Sequence, residues 1–407
     1  MRSIELFAGG GGLALGAGLS GFQAQAVLEW DKWACQTLRH NRDAGYPLLT
    51  GWPIHEGDVR TFDWAGVPKG IELVSGGPPC QPFSMGGKHG AYDDSRDMFP
   101  AAVAVVKRLE PQAFVFENVK GLTRPGFANY FQYVLLQLEF PEITRRSGED
   151  WAAHLRRLQV EKTTGAAAVS SLSYKVVATV VNAADYGVPQ KRERVFIVGF
   201  RRDLDVRWAF PGATYSQDEL IYRQWVSEEY WDEHRISQRA RPPSPPPEWA
   251  GRLNGLRDRL FAADCKPWRT VRDAIGDLPD PQSAKAIGID GHRYQPGARA
   301  YAGHTGSPLD LPAKTLKAGA HGVPGGENML VAGDGSTRYF TAREAARLQT
   351  FPDGYRLLGS WSEVMRQIGN AVPVLLAERV LGSVGAHLLQ AQERALRLSV
   401  SSRRLAA

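Results

Sequence analysis

"RSIELFAGGGG", residues 2–12, sets a short apolar run directly against four glycines. A run of this length bounded by a turn signal reads as a buried strand, and the glycines let the chain turn sharply and approach a bound molecule closely. The same pattern recurs in "QAQAVLEWD" (23–31), "IELVSGG" (71–77) and "AFVFENV" (113–119), each ending in a polar or Gly/Pro loop. A helical stretch at 95–109 falls between two of these runs. Strands alternating with helices predict an α/β fold with a doubly wound, mostly parallel sheet, whose functional loops gather at the carboxyl ends of the strands. "SYKVVATVVNA" (173–183) and "ERVFIVGFR" (193–201) follow too closely for a helical crossover, which predicts an antiparallel pair.

Composition narrows the function classes. The chain has 407 residues, 43% hydrophobic and 23% charged, which is ordinary globular composition and enough for two domains. Its three cysteines, Cys35, Cys80 and Cys265, are too few for a disulfide framework and form no C-x-x-C pair, so no metal site is expected and a reducing cytoplasm fits. The small-residue "AQA" at 24–26 imitates a secretory cleavage site, but Glu5 and the glycines do not suit such a leader. No run approaches the roughly 20 apolar residues of a membrane span. A net charge of +6 favours a polyanionic partner without identifying one.

Beyond residue 205 the texture changes to tryptophans, arginines, turn residues and the proline run "RPPSPPPEW" (241–249) without a clear period. Three regions follow: a catalytic and cofactor-binding domain at 1–205, a smaller irregular domain with its junction at 206–340, and a hinge with C-terminal helices, 341–407, returning to the first. Thr341 and Glu344 have capping-box spacing, and Val374, Ala377, Leu381, Val384 and Leu388 share one face of a helix after Pro373. Residues 142–170 read as a polar insertion and the tail from 399 as frayed.

The glycine turn recurs with Glu29 twenty residues after Gly9, the spacing at which an acid reaches a ribose hydroxyl. With Trp30 for stacking and Asp58 in "EGDV", this suggests an adenosine-containing cofactor; Ala14 replaces the third glycine of a dinucleotide fingerprint, so NAD is not favoured over others. Cys80, in "VSGGPPCQPFS" (74–84), follows a strand end in a Gly/Pro loop where backbone donors would lower its pKa, whereas Cys35 and Cys265 read as small buried hydrophobes. Glu117 ends another strand and is placed to exchange a proton in the same crevice. Arg192 and Arg194 in "QKRERV" (190–195), two apart, should share a face.

In that order these residues resemble the motifs of the DNA (cytosine-5) methyltransferase family, bacterial or phage type, over nearly the whole chain: "FAGGGG", "LEWD", "GDV", "GGPPCQPFS", "ENV", "QKRERV", then "RYFTAREAARLQTFPD" and "QIGNAVP". The resemblance implies a Rossmann-like fold and S-adenosylmethionine as cofactor. Phe7, Gly9, Gly11, Gly12, Glu29, Trp30, Asp58, Val59 and Pro78 would hold it, with Asn370, Ala371 and Val372 closing the pocket. It implies double-stranded DNA as substrate and extrusion of the target cytosine. Cys80 would attack C6, Glu117 would bond the N3 side, Arg194 the O2, and Arg192 would support the base or nearby backbone. The segment "SMGGKHGAYDDSRD" (84–97) would act as a lid, and about 206–310 would be the target-recognition region. The chain begins almost at the first motif. A monomeric cytoplasmic enzyme, serving either restriction-modification beside an endonuclease of the same site or epigenetic marking, completes the expectation.

Overall fold

The computed structural model describes residues 1–79, 97–165, 172–258, 264–301, 305–318 and 328–405. The chain divides into two compact units, one formed by 1–181, 193–211 and 377–407, the other by 182–192 and 212–376.

The first unit is built on a seven-stranded sheet of β1 (Arg2–Leu6), β2 (Gln23–Glu29), β3 (Ile54–Glu56), β4 (Leu73–Gly76), β5 (Ala113–Val119), β6 (Tyr174–Asn182) and β7 (Glu193–Arg201), in the order β3-β2-β1-β4-β5-β7-β6. β1, β2, β3, β4 and β5 pair in parallel, while β7 runs antiparallel to β5. β3 has no counterpart in the sequence reading, because a three-residue strand, "IHE", carries too little pattern to register. Chain order reverses between β1 and β4: the chain works outward through β2 and β3 and then crosses back. That reversal opens a crevice at the carboxyl ends of β1 and β4.

The helices α1 (Gly12–Leu19), α2 (Lys32–Asp43), α3 (Phe99–Leu109), α4 (Ala128–Glu139) and α5 (Trp151–Thr164) belong to the same unit. Ile4, Leu6, Val74, Phe99, Val106, Phe114, Phe116 and Ile197 form its buried core. The polar insertion expected at 142–170 contains a helix, α5. Asp150 caps α5, accepting from the backbone of Ala153, and Leu155 and Leu158 pack with Tyr133 and Leu136 of α4 and with Phe140 just after it. Buried His154 bonds the Tyr133 hydroxyl (2.8 Å) and the Ile143 carbonyl (2.7 Å), which satisfies both ring nitrogens.

The second unit carries the short helices α6 (Gln217–Trp225), α7 (Glu229–Glu233), α8 (Ala250–Arg257), α9 (Val271–Ile275), α10 (Ala342–Leu348) and α11 (Trp361–Asn370). Its strand pairs are shorter still: β8 (Tyr215–Ser216) with β9 (Lys266–Pro267), and β10 (Ser307–Pro308) with β11 (Met329–Val331) and β12 (Thr337–Tyr339). Trp231, Trp249, Trp268, Tyr230, Leu220 and Ile221 form a core there. A few large rings bury as much surface as a long periodic helix would, so this segment packs without the periodicity a sequence reading looks for. The expected capping box at Thr341 is present, with Glu344 returning to the Thr341 backbone (2.9 Å).

α12 (Val374–Leu405) is the longest element and continues through the tail expected to fray. Val374, Ala377, Leu381, Val384 and Leu388 are all buried. The helical stretch Trp361–Ser399 passes by length and composition as a membrane span, contrary to the reading that no run comes near; 56% of its apolar window is buried inside the protein, which marks it as core. From Ala377 on, α12 packs on α1. A Cβ added at Gly16 would fall 2.4 Å from Ala377 Cβ and 2.8 Å from its backbone carbon, so only glycine permits this approach. Ser20 strengthens the contact by donating to the Glu378 carbonyl (3.2 Å). Gly16→Val should therefore cost about 1–3 kcal/mol in chemical denaturation, while Gly66→Ala, where an added Cβ meets nothing within 4 Å, should leave the midpoint unchanged.

Candidate active site

Parallel register brings the motif residues into one row. Leu6 lies opposite Leu28 and Gly76, Glu29 opposite Glu56, and Gly76 opposite Phe116. The loops after β3, β2, β1, β4 and β5 are thereby neighbours along a single edge, carrying Asp58, then Glu29 and Trp30, then Phe7 and the glycines, then Pro78, then Glu117. β7 enters this edge from the opposite direction, with Arg194 across from Val119.

At the centre of the row the chain leaves β1 through Phe7 (φ 52°), Gly9 (φ 54°) and Gly11 (φ 94°), and Gly12 opens α1. Phe7 in a left-handed conformation is a strained residue of the kind that collects at functional sites. A Cβ at Gly9 would meet nothing within 4 Å, so the turn is an open cradle. Its position is fixed by Glu29, 7% exposed, whose carboxylate accepts from the backbone N–H of Gly9 (2.6 Å), Trp30 (2.9 Å) and Asp31 (2.7 Å). Burial pushes the Glu29 carboxyl above its ordinary range despite these three bonds.

Trp30 is 72% exposed, an unusual state for a tryptophan and one suited to stacking on a ligand. Val59 is buried, while the Asp58 carboxylate is gripped by Arg60 through Nε (3.0 Å) and Nη2 (2.5 Å), which holds it below the usual carboxylate range. An open glycine cradle, a buried acid beside it, an exposed ring and a second acid on the next strand form a chemically apt set for an adenosine bearing a small charged chain.

At the other end of the row, Glu117 is 7% exposed and pairs with Arg194 Nε through Oε1 (2.8 Å). The two are diagonal neighbours on one face of the β5–β7 ladder, which is why the long arginine reaches the acid. Burial lowers the Arg194 pKa, opposed by Glu117. Arg194 Nη1 donates to the Glu193 carbonyl (2.8 Å), and Nη2 has no hydrogen-bond partner among the described residues. Glu117 Oε2 lies 3.5 Å from where a Cβ on Gly77 would be, so the carboxyl rests against the segment leading to Cys80.

Cys80 and residues 84–96 of the expected lid lie outside the described residues. The approach to the cysteine is anchored nonetheless: Asn118 Nδ2 donates to the Pro78 carbonyl (2.9 Å) and the Met98 N–H to the Pro79 carbonyl (3.0 Å). Cys35, by contrast, is wholly buried and its thiol is pushed up to about 12, first by burial and then by Glu29. Cys265 is half-buried, with Sγ 3.7 Å from the Ala213 carbonyl.

Arg192 and Arg194 hold different partners: Arg194 pairs with the Glu117 carboxylate, while Arg192 holds main-chain carbonyls, the backbone alternative of its two expected roles. Arg192 belongs to the second unit, is fully buried, and donates to the carbonyls of Leu316 (3.0 Å), Gly369 (2.6 Å) and Ala371 (2.9 Å). Gln349 Nε2 adds a bond to the Ile368 carbonyl (2.7 Å). Together they neutralise the carbonyl end of α11, where a cation is favoured by the helix dipole. Arg192 is thus a positioning residue for the turn that presents Asn370, exposed at the helix end, and the buried Ala371 and Val372. Gly369 admits no side chain, since a Cβ would fall 2.2 Å from the Ala318 nitrogen. The sequence offers no local sign of this, because every acceptor is a main-chain carbonyl distant along the chain.

The model of the C-5 cytosine-specific DNA methylase family matches residues 1–141 and 159–386. Among curated relatives, the Type II methyltransferase M.NgoMIV of Neisseria gonorrhoeae is 29% identical, covering 96% of this chain and 98% of its own length. M.PspPI of Psychrobacter sp. is 30% identical, over 92% of this chain and 76% of its own. Two solved structures share the fold: Dnmt2 of S. pombe, at TM-score 0.51 and 16% identity over 96% of this chain and 99% of that one, and DNMT2 of Spodoptera frugiperda, at 0.51 and 16% over 94% and 99%. Eight motifs in order, the strand-end row and the family match agree, and the chain belongs to the C-5 cytosine-specific DNA methylase family, as a DNA (cytosine-5) methyltransferase.

Proposed function

We propose that this chain methylates C5 of one cytosine in a specific duplex DNA sequence, taking the methyl group from S-adenosylmethionine and passing through a covalent bond between Cys80 and C6. The observation that carries this reading is the strand-end row, which runs from an adenosine-suited cradle at Glu29 to a buried acid–arginine pair at Glu117, with the anchored approach to Cys80 between them. Bound S-adenosylmethionine supplies an electrophilic methyl on a sulfonium.

The residues divide the remaining work. Phe7, Gly9, Gly11 and Gly12 would give the cofactor a backbone-lined seat, Glu29 would accept from its ribose and Trp30 would stack, while Asp58, Val59 and Pro78 would complete the site. The target cytosine must leave the helix, because C5 and C6 are inaccessible in the stack. The Cys80 thiolate forms a bond to C6 while Glu117 hydrogen-bonds the N3 and amine side, so that negative charge does not build up in the ring. Arg194 fixes Glu117 through Nε and offers Nη2 to the base oxygen. C5, now nucleophilic, accepts the methyl group as the methyl–sulfur bond breaks and its electron pair stays on sulfur as a neutral thioether; the C5 proton then passes to water while the S–C6 bond breaks, restoring the ring and the thiolate. Arg192 acts through the backbone it holds.

The Type II relatives support a place in a restriction-modification system beside an endonuclease of the same specificity, with the enzyme acting as a cytoplasmic monomer. The second unit, in this reading, carries the target-recognition region.

A labelled-methyl assay offering duplex DNA and tRNA tests the substrate: incorporation into DNA is expected, and incorporation into tRNA alone would sink the reading. Cys80→Ala should abolish transfer with S-adenosylmethionine binding retained; undiminished transfer would refute the nucleophile. Glu117→Gln should slow transfer by about 10²–10⁴-fold, measured where thermal melting shows the variant still folded, since buried Arg194 loses its counter-charge and the melting temperature should fall. In a Cys265→Ser background, iodoacetamide at pH 8 should inactivate the enzyme in step with labelling of Cys80. Cys35, with a thiol near pKa 12, is then about one part in ten thousand thiolate and should stay unlabelled by peptide mass mapping.

A further inference from the structure

The opposite end of the sheet carries a second concentration of positive charge, and its residues all belong to the first unit. Because β7 is antiparallel to β5, with Ala113 across from Phe200, the chain leaving β7 emerges at the end of the sheet away from Glu117 and Arg194. There residues 205–207 and the outer part of α12 border a groove of about 570 Å³, to which Asp205, Arg207, His387, Glu393, Arg394 and Arg397 contribute.

The two walls are tied together. Trp208 Nε1 donates to Ser383 Oγ (3.0 Å), fixing the loop to the helix, and His387 Nδ1 lies 2.8 Å from the Ser383 carbonyl. A carbonyl only accepts, so Nδ1 carries the hydrogen and Nε2 is the nitrogen left for a ligand. His387, Arg394 and Arg397 recur at helical spacing and so line one side of α12.

Charge balance in the groove is one-sided. Arg207, Arg394 and Arg397 make no hydrogen bond or ion pair among the described residues, whereas Arg201 and Arg202 just before them are held by Asp203 and Glu139. Of the two carboxylates, Asp205 is taken by Lys175 (2.8 Å) and held below the usual carboxylate range by it first, then by Arg207 and Arg394. Glu393 alone remains to offset three guanidinium groups. The family match stops at residue 386, so every contribution of α12 to this groove lies beyond it.

We propose that this groove is a phosphate-binding site, separate from the catalytic edge, that takes consecutive phosphates such as those of a polyphosphorylated small molecule or of a nucleic acid backbone. Guanidinium forks match phosphate oxygens bidentately, so each arginine ordered on binding gains two parallel hydrogen bonds against the rotamer freedom it gives up. The volume exceeds what one phosphate fills and falls among small-ligand sites of about 300–1,000 Å³.

The test titrates the full chain at low ionic strength, where exposed charges are least screened. The probes are inorganic tripolyphosphate and, separately, an all-A·T duplex that offers no cytosine. Wild type is compared with Arg394→Ala/Arg397→Ala, with Arg207→Ala, and with Arg108→Ala on α3 as a control, each checked by thermal melting. Binding of at least one probe is expected, weakened about tenfold or more in the groove variants but not in the control, with methyl transfer intact. Loss confined to tripolyphosphate identifies a free phosphorylated ligand; loss of duplex affinity with a shallower salt dependence identifies the nucleic acid backbone. Failure of both probes to bind, or equal binding by groove variants and wild type, overturns the site.

Discussion

A buried carboxylate that accepts three backbone N–H groups organises the catalytic edge. Glu29 closes β2, yet its oxygens hold Gly9 in the turn after β1 and both Trp30 and Asp31 in the turn that begins α2. Two neighbouring strand ends are thereby locked to one another, and the glycine turn has one place to go. Without the acid, three buried or half-buried donors would lose their partner together, each at a cost of about 1–3 kcal/mol. The same atoms that keep the loop in place leave the cradle above Gly9 open, so structural and binding demands meet on one side chain.

Much of this edge is legible in the sequence because its logic is local. An apolar run followed by glycine, or by an acid, marks a strand end, and in a parallel sheet all such ends face the same way; "FAGGGG", "LEWD", "GDV" and "ENV" are therefore both motifs and coordinates. Legibility fails where partners are distant or patterns short. β3 is too brief to show a period, and the helix at 151–164 is masked by the charged residues around its few buried positions. Arg192 is the sharper case. It stands two residues from Arg194 in a motif that invites a shared role, but its acceptors are carbonyls at Leu316, Gly369 and Ala371. Main-chain acceptors carry no residue identity, so no pattern of side chains could reveal them.

The two arginines also illustrate how burial separates residues of identical chemistry. Arg194 sits beside a carboxylate with one terminal nitrogen making no hydrogen bond among the described residues; Arg192 spends both terminal nitrogens on backbone. Guanidinium remains charged even when desolvated, which makes it equally able to tune an acid and to stop a helix. The second unit follows a different economy, with tryptophan rings in place of long amphipathic elements, and this frees most of its residues from core duty.

The contact between Gly16 and Ala377 joins the beginning of the chain to its end. α1 is made early and α12 much later, so until α12 is present the Gly16 face of the first helix lacks this partner. The unit built on the seven-stranded sheet is thus closed by a segment distant along the chain, and a chain cut before α12 would lack the helix that covers Gly16.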